Sequence, residues 1–268
     1  MLPGMKLTLF LCLPLAGACV TTTAGTPGQL REGVLRDTST AEYGTLGVEL
    51  AVEVDPGDHQ RVPLRLEYGY REATALFLDV AAYEKAQLPG NDGEGFGDIG
   101  LGVRHRFFES DAGTTGALEG RVSLPTGNEN KGTGSGSVDL YGAAVMSQAF
   151  EEVLLSGWLE LGVLGDAFDS GTDMQRTVGL ASAVNLGESV IGFATLERAF
   201  RDDFDPATGK FGVAYRPSSS WTFDMGLAVG FNSDAPDAAF FLGFSSNLGP
   251  LGPSGPYHPP EPGTSGQL

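Results

Sequence analysis

From Ile99 to Phe107 every second residue is apolar or ring-bearing: Ile99, Leu101, Val103, His105 and Phe107. Gly100, Gly102, Arg104 and Arg106 occupy the other phase. Side chains alternate faces along a strand, so the segment predicts a strand with one greasy face and one face of glycine and charge. The pattern recurs. Strands are predicted at 46–54, 62–70 and 76–82 before it, and at 118–124, 138–147 and 155–163 after it. Further strands at 178–184, 190–196, 211–215, 221–231 and 240–248 bring the set to twelve. Most run to about ten residues, the length of a tilted strand crossing hydrocarbon, and single-chain bacterial barrels require an even number. The expectation is an all-β, closed antiparallel up-and-down transmembrane β-barrel over 41–248.

The connections carry a second regularity. Those near 55–61, 84–96, 125–137, 165–175, 200–208 and 232–238 are mostly long and rich in Gly, Asp, Asn and Pro. Those near 71–73, 109–114, 151–152, 185–188 and 216–219 are mostly shorter. Long loops outside and short turns inside is the outer-membrane arrangement, with both termini in the periplasm of a Gram-negative cell. Aromatics fall near strand ends: Tyr68, Tyr70, Phe107, Phe150, Tyr215 and Trp221 on the turn side, Phe231 and Phe240 on the loop side. They read as interfacial girdles. The competing reading, core aromatics of a soluble sandwich, is set back by the near absence of charge from the apolar phase.

The ends look different. Lys6, the apolar run 7–15 and Ala16-Gly17-Ala18 form an export signal with its cleavage site over 1–18. Cleavage there leaves Cys19 first, as in a bacterial lipoprotein, so Cys19 is either lipidated or a plain mature N-terminus. Residues 19–40 lack sustained periodicity and read as a periplasmic linker; the Pro- and Gly-rich 249–268 reads as a disordered tail.

Charge adds direction. Acidic residues number 34 against 16 basic, a formal net of −18, which argues against nucleic acid as a partner. Within the strands the charges fall on the inward phase. The acids are Glu49, Glu53, Glu67, Asp79, Asp98, Glu119, Asp139, Glu160, Glu197 and Asp224, and the bases are Arg65, Arg104, Arg106 and Arg121. Such groups either pair and plug a narrow barrel or line a water path. A path so lined would favour cations or neutral solutes over anions.

At 95–137 the sequence resembles a known family. Gly97-Asp98 opening a strand with an aromatic end, then Leu124-Pro125-Thr126-Gly127, then Gly132-Thr133-Gly134, is similar to the outer-membrane barrels of the phenol-degradation meta-pathway (MetA) family. The resemblance implies a transporter for small, hydrophobic or aromatic compounds and brings no catalytic residues. Expected partners are outer-membrane lipid, a small-molecule solute and the barrel-assembly machinery.

Candidate chemistry is sparse. Gly95-x-Gly97-x-x-Gly100 has the letters of a dinucleotide fingerprint, but a strand follows it where that motif needs a helix. No metal or cofactor set is expected. A lipid hydrolase needs a His beside a nucleophile. Among His59, His105 and His258, only His105 sits on a strand, and Val103 and Phe107 two residues away offer none. The chain is therefore expected to be no enzyme. Its expected role is a passive channel or uptake protein; the alternative is a structural or adhesion barrel with a plugged lumen.

Overall fold

The computed structural model describes residues 30–56, 59–88, 91–165, 173–201 and 205–250. The export signal, Cys19 and residues 251–268 lie outside them. The strands are β1 Thr45–Val54, β2 Gln60–Arg71, β3 Thr74–Leu88, β4 Asn91–Gly95, β5 Ile99–Glu109, β6 Thr114–Leu124 and β7 Asp139–Ala149. Then come β8 Val153–Val163, β9 Met174–Asn185, β10 Val190–Phe200, β11 Ala207–Ser218, β12 Trp221–Gly230 and β13 Ala238–Pro250. β4 pairs only with the outer end of β3, and the chain resumes after a three-residue break as β5. The wall is thus a closed barrel of twelve antiparallel strands.

Apart from β4, each strand pairs with the wall strands before and after it, and β1 closes the ring on β13 through Val48↔Ser246 and Val52↔Leu242. Closure leaves the twelve-strand ring no free edge, so its ladder N–H and C=O groups pair across the wall rather than with water. β13 reaches Pro250, so Gly249 and Pro250, expected in the tail, belong to the wall, where Thr45 pairs with Pro250.

The alternation holds around the ring. Ala75, Ala117 and Ala214 point inward and are buried, while Leu180 is 66% exposed and Phe240 59% on the outer face. Tyr70, Phe107, Phe150, Tyr215, Trp221 and Phe231 are also exposed, at the ends expected for them. So broad an apolar outer belt is a surface for lipid rather than water. No helix among the described residues is long and apolar enough to cross a membrane; the crossing elements are strands.

Several inward rings lie flat over a glycine of the next strand. Phe77 covers Gly102, and Trp158 covers Gly179, so that a Cβ at either glycine would occupy the ring's position. Glycine at these places makes room for a side chain that narrows the lumen.

One expectation fails here. The supposed linker does not lie outside the barrel from Leu30 onward. Leu30, Val34, Leu35 and Thr38 are buried, and residues 31–41 touch wall strands on all sides of the ring. The physical reason is composition: three apolar side chains and alternating charges within nine residues make a poor solvated linker and a good filling for an amphipathic lumen.

Candidate functional site

The site is the lumen with this segment inside it. Val34 and Leu35 amides both bond to the Arg31 carbonyl, at 2.9 and 3.0 Å, forming one tight turn. The turn throws Leu30, Val34 and Leu35 to one side, where they join a buried cluster with Val145, Trp158, Ile191, Phe193 and Phe241. Each such side chain contributes about 1.5–3 kcal/mol when fully buried. Gly33 and Val34 form the apex: their carbonyls accept from Lys210 Nζ at 3.0 Å and Thr195 Oγ1 at 2.6 Å. The chain then descends past Ser156, whose hydroxyl donates to the Arg36 carbonyl at 2.6 Å, to Thr38, whose Oγ1 lies 2.5 Å from that of Thr115. Gly44, at φ 76, turns it into β1, a left-handed conformation that favours glycine.

The segment's charges meet the opposite wall. Arg31 grips Asp224, with Nη2 3.1 Å from Oδ1. Arg36 spans Glu119 and Glu160, 2.9 Å from each. Glu32 accepts from Arg104 at 2.7 Å and stands 3.6 Å from Arg65. Arg104 is 1% exposed and also binds Glu119, at 2.6 Å, and the Ser39 carbonyl, at 3.2 Å. Buried charges persist only when paired in this way.

The expected lumen residues sort by depth. Arg65, Arg104, Glu119, Glu160 and Asp224 join the segment's network, while Glu67 accepts from the Ala41 amide at 2.7 Å and Glu49 from the Glu32 amide at 2.9 Å. Asp79 holds Arg65 at 2.6 Å, and Arg121 stacks over Tyr141 at 4.2 Å. Glu53 and Glu197 border the cavity above. Asp98 and Asp139 border that cavity as well but make loop contacts, and Arg106 lies apart from it. Asp98 accepts from the Gly127 and Ser135 amides, at 2.9 and 2.7 Å, and so pins the 125–138 loop over the mouth. Asp139 caps the Gly165 amide at 2.8 Å, and Arg106 pairs with Glu109 at the turn end, 3.4 Å away.

Above the segment a cavity of about 720 Å³ opens toward the long loops, with Arg31, Glu32 and Arg36 in its floor. Ten carboxylates and six cationic side chains border it, and its aromatic surface is Tyr141 and Trp158. At the rim, the neighbouring Glu84 carboxylate raises the His59 imidazole above its ordinary range. On the outer face Thr74 Oγ1 lies 3.0 Å from His105 Nδ1, a cross-strand partner that inspection along the strand misses. No other described side chain hydrogen-bonds that ring.

Sequence reading also missed Arg31, Glu32, Arg36 and Lys210. The signal for a missing cation was the excess of inward carboxylates over arginines.

No family model matches this chain, and no curated protein matches it in sequence. Solved structures do share its architecture. An outer membrane channel from Pseudomonas putida F1 superimposes with a TM-score of 0.64 at 13% identity, over 80% of this chain and 99% of that one. The fold is that of the outer-membrane barrels. The NanC porin (TM-score 0.56, 8% identity, 76% of this chain, 100% of that one) shows the same likeness. So does the KdgM porin, solved in complex with disordered oligogalacturonate (0.55, 8%, 75%, 98%).

Proposed function

We propose that the chain is an outer-membrane channel for small polar solutes, with its long loops at the cell surface and its turns in the periplasm. The observation that carries this reading is the polar cavity of about 720 Å³ running from the long-loop end to the ion-paired floor. The excess of carboxylates around it favours cationic and neutral solutes over anions. The named channel and porins of like fold support a channel as the class of activity. Similarity to the MetA family would extend the solutes to aromatic compounds, but a lining with two aromatic side chains suits polar ones better. Insertion would depend on the barrel-assembly machinery.

A second reading has its own support: the segment at 30–41 packs inside the lumen, as a plugged structural barrel would require. Osmotic swelling of liposomes separates the two. Barrels lacking residues 30–40 should admit small neutral and cationic solutes faster than anions of equal size. Absence of swelling in any form would leave the plugged structural barrel.

A further inference from the structure

The segment inside the lumen is held by guanidinium groups seated on carboxylates of the wall. Arg36 Nη1 meets Glu160 Oε2 and Nη2 meets Glu119 Oε1, both at 2.9 Å, with Glu32 beside Nε at 3.3 Å. Glu119, Glu160 and Arg36 all border the loop-side cavity, so a solute in the vestibule meets this pair before anything deeper. The wall's ladder closes through β1 and β13 without the segment, which meets the sheet backbone at its exit through the Tyr43↔Gly69 bridge and the Gly44 amide on the Gly69 carbonyl. What holds the apex is side chain to carbonyl, from Lys210 and Thr195, and beyond Thr38 the chain turns at Gly44.

We propose that residues 30–41 are a releasable gate, and that small solutes bearing a guanidinium or amidinium group open it by replacing Arg36 between Glu119 and Glu160. This rests on the channel reading above and names the solute class of that same lumen. The argument is competitive. The structure shows a planar, forked cation bridging two carboxylates on β6 and β8, level with Ala143 of the strand between them, a geometry that guanidinium satisfies and a point-charge ammonium or sodium ion does not. Arg36 is on a short tether, so its effective concentration is on the order of millimolar, and a free competitor need only approach that range. Once Arg36 is displaced, Glu32 loses a neighbour, and the turn at 31–35 keeps Arg31 on Asp224, Glu32 on Arg104, the carbonyl contacts of Lys210 and Thr195, and the apolar contacts of Leu30, Val34 and Leu35.

Single-channel recording on the full barrel tests this, with guanidinium chloride and sodium chloride compared at equal ionic strength, on the order of 10 mM added salt. The expected result is roughly a tenfold rise in the occupancy of a large-conductance state with guanidinium over sodium, a factor equivalent to about 1.4 kcal/mol. Glu160→Gln should lose that preference. Arg36→Gln, which removes the competitor, should visit the large state without guanidinium. Equal effects of the two salts would overturn the proposal. So would a large state seen only when residues 30–40 are deleted, which would leave the channel reading standing. If even the deleted form never conducts, the channel reading falls and this inference with it.

Discussion

Arg104→Ala is expected to cost about 3–5 kcal/mol, the usual loss when one partner of a buried ion pair is removed. Arg104 is the largest fully buried side chain in the described residues, and its guanidinium serves Glu119, Glu32 and the Ser39 carbonyl together. Without it two carboxylates face each other inside the lumen with less compensation. Denaturant unfolding in lipid, followed by tryptophan fluorescence, should show the midpoint fall sharply. The double variant Arg104→Ala/Glu119→Ala should recover part of that loss, because the stranded carboxylate goes too. An unchanged midpoint in the single variant would mean that the network is not formed.

Gly179→Val should impair the barrel comparably. The Trp158 ring occupies the space of any Cβ at residue 179, and both the ring and the ladder backbone are fixed by their neighbours. Overpacking of this kind costs about 1–3 kcal/mol and in a closed wall has few ways to relax. The barrel should lose its resistance to unfolding by detergent on unheated gels. Gly179→Val/Trp158→Ala should regain it. Gly120→Ala, at an outer position with nothing within 4 Å, should change stability by less than about 0.5 kcal/mol. If all three variants behave alike, the ring does not lie over the glycine.

The wall was legible because its signal is repeated and its physics is binary. Residues such as Phe223, Met225 and Leu227 must meet lipid while Thr222 and Asp224 must not, and every strand writes the same period. The lumen was legible only in half. Charged inward residues announced themselves, yet Val145, Phe193 and Phe241 also face inward, and in sequence they look like ordinary members of either phase. Their role became plain only beside Leu30, Val34 and Leu35. That segment defeats periodicity for a physical reason. Nine residues folded as a single turn have no repeat to read, and their partners lie 17 to 193 residues away. Asp98 shows the same limit on a smaller scale. Its phase gives a direction, but the loop amides it holds come from residues 127 and 135.

The segment's place inside the barrel is tested most directly by a cysteine pair. Thr38 and Thr115 present their Oγ1 atoms to one another at 2.5 Å, and cysteines there would set two sulfurs within reach of a disulfide. In a Cys19→Ser background, Thr38→Cys/Thr115→Cys should oxidise to an intramolecular bond in the folded, membrane-inserted protein and resist a bulky maleimide. Rapid labelling of the introduced thiol at position 38 from the aqueous phase, with no cross-link to position 115 in the folded barrel, would put the segment outside the lumen and contradict the account.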